Sequence, residues 1–280
     1  MTSAKVSQSK NLLPQSFFHA LCHTFPHCQT TAVLHVIDNS FAQSTHPDRH
    51  LNQWLDSKEL QKLATFKLAK RRNEWLAGRI CAKLAIADNA QESSPTACNM
   101  ITIVNDHNGR PYVTNATGSD APLDLCRQDI SIAHSGSYAA AAASTHYCGI
   151  DIQEPRTTLE RVKARFCTED EEHILEKHLG SDAQDSAHHI PGIRQNTMRL
   201  NLLWAAKEAV RKCLSYSSIP GFLSLQLFDV EFFADQWHVF HLRHAHHINN
   251  QTDQHLRVLC GHYQEYALAL TVEKIIPKER

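Results

Sequence analysis

Residues 203–214, LWAAKEAVRKCL, place Trp204, Glu208 and Lys212 at successive four-residue steps, with Lys207 and Arg211 beside them. Residues four apart on a helix share a face, so this run holds one carboxylate among an aromatic ring and several cations. Taken alone it reads as a surface ion-pair ladder, in which each pair contributes only roughly 0.3–0.5 kcal/mol. A second carboxylate, Asp151, closes CGID, where Gly149 and the flanking Ile150 and Ile152 mark a buried strand ending in a charge. His134 in SIAHSGS is another polar residue at the end of an apolar strand. The turn NGRP supplies Gly109 and Arg110, and Gly78–Arg79 lies within a helical run. Each signal alone is poor: a solvated strand-end acid, one of 20 histidines, an ordinary turn.

The elements that must position these residues follow one order twice. A strand is expected at AVLHVID, then helices from Asp56, where DSKE offers an N-cap carboxylate with Glu59 three residues on, and from about Arg72 to Asp88. Strands follow at MITIV and RPYV around the NDHNG turn, and at ISIAHS and YAAAAAS around Gly136. Five alanines prefer helix intrinsically, but the hairpin spacing after Ser135–Gly136 favours a strand. The second half repeats the order: a strand at YCGIDI, a helix after Thr168 in the capping-box run TEDE, the 203–214 helix, then strands at FDVEFF, WHVFHLR, HLRVLCGHY and YALALTVE. Laying residues 75–86 over 204–215 matches Trp75 with Trp204 and Lys83 with Lys212, and puts Arg79 opposite Glu208. The expected fold is α+β: a pseudo-dimer of two similar subdomains, each an antiparallel sheet packed with helices, and a ligand cleft between them. The boundaries are an N-terminal extension over 1–30, an N-terminal half over 31–147 and a C-terminal half over 148–275, the latter with an inserted loop at 180–197.

Composition excludes several classes. The formal net charge is −1 with a pI near 7.0, which gives no field for nucleic acid or an anionic membrane, so an anionic ligand must be held by a local cluster. Nine cysteines with no CxxC pair point to a reducing compartment. No apolar run approaches the ~20 residues that cross a bilayer, and Pro14, Gln15, Ser16 and His19 break up the start as a signal peptide. The expected location is the cytoplasm. Two histidine clusters, HALCHTFPHC and HAHHI, fit no common zinc-finger spacing.

Taken together and in order, these motifs resemble the larger, two-halved 4′-phosphopantetheinyl transferases of the type that activates surfactin synthetase. GID (149–151) and WAAKEAVRK (204–212) carry the likeness, with Gly78–Arg79, Gly109–Arg110–Pro111 and SIAHS upstream, over about residues 60–215. The resemblance implies transfer of the phosphopantetheine arm of coenzyme A to a serine of an apo acyl or peptidyl carrier protein, with release of 3′,5′-ADP. It implies Mg2+ held by Asp151 and Glu208, since that ion takes a few carboxylates plus phosphate and water oxygens. Glu208 would orient or deprotonate the serine, and Lys212 would hold the pyrophosphate and its developing charge. His134, Arg79, Gly109 and Arg110 would contact coenzyme A, as would Lys207, although Lys207 lies about a hundred degrees from Glu208 on an ideal helix. The implied form is a monomer with an internal pseudo-twofold.

Two departures stand out. Gln153 occupies the place where many members of that family carry Glu, and the stretch from Asp151 to Trp204 is longer than usual. Rival readings are a Mg2+-dependent nuclease or phosphodiesterase, for which DIQEPR lacks the Glu-x-Lys triplet, and a coenzyme A-binding scaffold without turnover, which retention of Asp151 and Glu208 opposes.

Overall fold

The computed structural model describes residues 11–37, 51–90, 95–115, 127–180, 195–216, 219–234, 236–244 and 254–274. Ten strands form two five-stranded antiparallel sheets. The first joins β1 (Thr30–Val36), β2 (Ile101–Asn105), β3 (Pro111–Asn115), β4 (Asp129–Ser135) and β5 (Tyr138–Ser144) in the order β1-β5-β4-β3-β2. The second joins β6 (Tyr147–Gln153), β7 (Leu225–Ala234), β8 (Trp237–His244), β9 (Gln254–Tyr263) and β10 (Tyr266–Glu273) in the order β6-β10-β9-β8-β7. The two orders are the same topology, so the expected pair of similar α+β units is what the chain forms. The alanine run is indeed strand β5, buried along its whole length. It lies centrally between β1 and β4, and only small side chains fit both its faces: Ala139, Ala141 and Ala143 meet one cluster, Ala140 and Ala142 another. Tertiary packing overrides helix propensity here.

The helices repeat as well. Helix α1 (Gln15–Thr24) precedes β1; α2 (Ser57–Ala64) and α3 (Ala69–Asn89) serve the first sheet; α4 (Thr158–Val162), α5 (Glu169–Leu179) and α6 (Gln195–Leu214) serve the second. Both expected capping boxes form, Asp56 with Glu59 and Thr168 with Glu171. Each N3 glutamate then reaches further. Glu59 pairs with Lys83 of α3 and accepts the Ile103 N–H at 3.1 Å. Glu171 pairs with Lys207 of α6 at 2.6 Å and accepts the Leu227 N–H at 2.7 Å. Both lysines are fully buried and donate to a carbonyl as well, Ile101 O for Lys83 and Phe166 O for Lys207. These two pairs set the internal register. Lys83 corresponds to Lys207, so the overlay that matched Lys83 with Lys212 and Trp75 with Trp204 is out of register.

The sheets meet along an edge. Among the described residues strand β6 has only β10 as a sheet partner, so its outward N–H groups need acceptors. One face of β4 provides them: Asp129 Oδ2 accepts from Cys148 N at 2.7 Å, Ser131 Oγ from Ile150 N at 3.0 Å and Ser135 Oγ from Glu154 N at 3.0 Å. Around this ladder an apolar seam holds Ile150, Ile152, Leu268 and Leu270 against Ala133, Ala140 and Ala142.

The segment 1–30, expected as a mere extension, contains α1, whose Phe17, Ala20 and Leu21 are buried in the same seam. Phe17 meets Trp237 edge-on at 5.0 Å. Residues 195–197, assigned to the inserted loop, open α6 instead; 181–194 lie outside the described residues, as does most of HAHHI. Among the described residues no helix is long and apolar enough to cross a membrane, and the eight cysteines are all free.

Candidate functional site

The site forms where α6 lies on β6. At Gly149 a Cβ would fall 1.9 Å from the Ala209 carbonyl oxygen, so only glycine lets the helix come this close. That contact sets Glu208 and Lys212 over the end of β6, where Asp151 is. Lys212 Nζ reaches across to Asp151 Oδ1 at 2.7 Å and donates to Ile150 O at 3.0 Å and Ile132 O at 3.3 Å. The last of these ties it to β4, in the other half of the molecule. Asp151 Oδ2 is buried with no hydrogen-bond partner among the described residues. Burial pushes the Asp151 carboxyl up to about 6, against the pull of Lys212, and the charge of nearby Glu208 adds to the rise.

Glu208 is gripped one turn on by Arg211, at 2.8 Å, rather than by Lys212. Arg211 in turn donates to Pro220 O at 2.9 Å and lies 4.3 Å over the Phe222 ring, which stacks on Trp204. This aromatic shelf holds the arginine, and the arginine holds the carboxylate. His134 stands on β4, two residues beyond the carbonyl that Lys212 contacts, and its side chain is 39% exposed. Its pKa is lowered, first by burial, with Lys212 among the charges acting the same way. Asp151 and Lys212 are thus in contact at the seam, with Glu208 and His134 near enough to act on their charges.

A buried, unpartnered carboxylate oxygen beside a second carboxylate is a donor set that fits a hard divalent cation, with phosphate and water oxygens completing the shell. Among the described residues no group of three or more His, Cys, Asp or Glu could hold a metal by itself. Gln153 donates to Glu154 O at 3.1 Å, and its own carbonyl accepts from Asn201.

The remaining candidates separate. Arg79 is 7% exposed, stacks on Trp75 at 5.1 Å, donates to Asn105 Oδ1 at 2.9 Å, and leaves a buried Nε without a partner. Asn105 then donates to Gly109 O at 2.7 Å, so the turn at Gly109 (φ 83°) and Arg79 form one unit. Arg110 points elsewhere. It is paired with Asp129, bonds Lys212 O, and donates to Cys213 O at 3.3 Å and Ser215 Oγ at 2.8 Å. A cation on the unsatisfied carbonyls at the end of α6 is a helix C-cap that also fixes Lys212.

Lys207, expected from the family resemblance to contact coenzyme A, is instead a core residue with 0% exposure, because the hundred-degree turn from Glu208 aims it at Glu171. Sequence reasoning passed over Arg211 as a partner of Glu208, and Asn105 and Glu74 altogether. The last is legible in KRRNE, where Lys70 and Arg71 precede it by four and three residues, a helical ion-pair spacing.

Residues 147–271 match the family model of the 4′-phosphopantetheinyl transferase superfamily, a span that contains β6, α6 and thus Asp151, Glu208 and Lys212. Among solved structures, a similar chain is a holo-ACP synthase from Plasmodium yoelii, 19% identical, with a TM-score of 0.35, covering 41% of this chain and 91% of that one. No curated protein matches.

Proposed function

We propose that the chain transfers the 4′-phosphopantetheine arm of coenzyme A to a serine hydroxyl of an apo acyl or peptidyl carrier protein. The serine oxygen bonds to the β-phosphorus, the bond from that phosphorus to the bridging oxygen breaks, and 3′,5′-ADP leaves. The observation that carries this reading is the pairing of Lys212 with Asp151 at the seam, with the second Asp151 oxygen buried and unpartnered and Glu208 close enough to act on its charge. The match of residues 147–271 to the superfamily supports the same chemistry.

Asp151 and Glu208 would hold Mg2+, which supplies charge neutralisation to the phosphates when bound. Phosphoryl transfer needs positioning and electrostatic stabilisation more than covalent help, and the residues present serve those ends. Lys212 is fixed by two carbonyls and the Arg110 cap beneath it, and its preset charge would oppose the negative charge that grows on the leaving oxygen. Glu208, oriented by Arg211, accepts the serine proton, a role typically contributing ~10²–10⁴-fold. His134, partly exposed on β4, would donate to a phosphate oxygen, and Arg79 would add its positive charge from beneath the cleft. Arg110 and Gly109 act by shaping the turn and the helix end.

The test is intact-mass analysis of a panel of apo carrier proteins from fatty-acid, polyketide and peptide synthesis, incubated with the chain, Mg2+ and coenzyme A. One phosphopantetheine per carrier is expected. A panel left wholly unmodified contradicts the proposal.

A further inference from the structure

We propose that Glu74 is a positioning residue for the anion-binding rim of the cleft, gathering Lys70, Arg71 and His134 so that they face a phosphorylated substrate together. The inference rests on the reading of the cleft as a coenzyme A site and adds to it a residue that makes no contact with substrate.

Glu74 lies on α3 and is 8% exposed. Three cationic or titratable groups surround its carboxylate: Lys70 Nζ is 3.9 Å from Oε1, and Arg71 and His134 Nδ1 are each 3.9 Å from Oε2. Lys70 and Arg71 are otherwise in water, with side chains 83% and 69% exposed. An exposed i,i+4 pair alone contributes little, but a nearly buried carboxylate is costly without counter-charge and so draws cations to itself.

The grouping spans two elements, because His134 comes from β4. Gly78, one turn beyond Glu74, makes this possible: a Cβ there would lie 2.9 Å from Ile132 Cγ2, so only glycine lets α3 settle this close to β4.

The distances are as informative as the partners. At 3.9 Å none of the three is hydrogen-bonded to Glu74, since N–H···O bonds run 2.7–3.2 Å. The carboxylate holds the groups in place by its field and leaves their donors free to turn to a ligand. His134 presents Nδ1 to Glu74, which leaves Nε2 for a phosphate oxygen. Lys70 and Arg71 together outnumber the single Glu74 carboxylate, so this rim remains attractive to a polyanion.

The sign of one substitution separates positioning from charge. Glu74→Gln removes a negative charge beside a polyanion's path, so by charge alone the KM for coenzyme A falls. By positioning, KM rises about tenfold while kcat changes less than twofold, and Glu74→Asp recovers part of the loss. The exposed pair Lys70→Met/Arg71→Met, which leaves the fold untouched, raises KM as well. In that background Glu74→Gln adds less than it does alone.

A lower or unchanged KM in Glu74→Gln, or full additivity with the lysine and arginine changes, overturns the role of Glu74 and leaves the site reading intact. Failure of the parent chain to bind coenzyme A by calorimetry overturns the site reading and this inference with it.

Discussion

Lys212 Nζ stands 2.7 Å from one oxygen of Asp151, while the other oxygen of the same carboxylate is buried without a partner. One half of the group is thus satisfied by Lys212, while the other has no hydrogen-bond partner among the described residues. Lys212→Met removes the satisfied half. Transfer is expected to fall about a hundredfold in kcat, of the order seen when one preorganised donor to developing charge is lost. Lys212→Arg does not restore it, because three acceptors converge on a single Nζ point that a planar fork cannot reproduce. Steady-state kinetics with a carrier substrate measure both.

Asp151 carries a cost that can be read in stability. Its carboxyl titrates near 6 in the fold against 3.8 for an unperturbed group. Between those values the folded chain binds more protons than the unfolded one, so this contribution is full below about 4 and is lost as pH rises through 6. Keeping the group charged at neutral pH costs about 3 kcal/mol. In chelator at pH 7.5, Asp151→Asn is therefore expected to melt about 5 °C higher than the parent while losing transfer activity, with the gain vanishing near pH 4. Calorimetric melts across that range check it, and an equally large gain at pH 4 contradicts the assignment.

The seam between the sheets depends on side chains that replace strand pairing. Ser131→Ala leaves the Ile150 N–H, one residue before Asp151, without its acceptor. A buried unsatisfied donor costs about 1–3 kcal/mol, and urea unfolding is expected to show a loss in that range. The same change at exposed Ser137, which makes no side-chain bond in the described structure, serves as the comparison and costs far less.

Lys207 and Lys212 lie five places apart on one helix, and their substitutions are expected to fail differently. Lys207→Met strands Glu171 in the core, where breaking a buried pair costs about 3–5 kcal/mol. The melting temperature drops, but the molecules that remain folded bind coenzyme A as the parent does. A selective loss of coenzyme A affinity with stability unchanged would return Lys207 to the cleft.

What the sequence made legible was periodicity and order. Alternation and turn residues located all ten strands, DSKE and TEDE located two helix starts, and the repeated order implied the paired sheets. Asp151, Glu208, Lys212 and His134 were legible as charged or polar residues at the ends or on the faces of apolar elements; Asp151 and Lys212 are in contact, and Glu208 and His134 lie near enough for charge to be felt. What failed was inference about direction across the fold. Arg110 is an arginine in a turn, and nothing local tells that Asp129 and the carbonyl end of α6 wait for it. Lys207 stands beside Glu208 in sequence and is turned into the core by the helix itself. The overlay of Trp75 on Trp204 followed residue likeness, whereas the true register is kept by Lys83 and Lys207, each bonded to a glutamate from another helix. Glu74 stands at a legible ion-pair spacing in KRRNE, but its link to His134 depends on the approach of α3 to β4 at Gly78, which nothing local shows.

The central claim is that Asp151 and Glu208 share one divalent ion with the substrate's phosphates. Mn2+ binding followed by electron paramagnetic resonance, with and without coenzyme A, tests it most directly. The parent chain is expected to take up one Mn2+ in a coenzyme A-dependent manner, and Asp151→Asn and Glu208→Gln are each expected to weaken that uptake at least tenfold, the order of loss when a metal site's partners are removed. Uptake by both variants equal to that of the parent would contradict the claim.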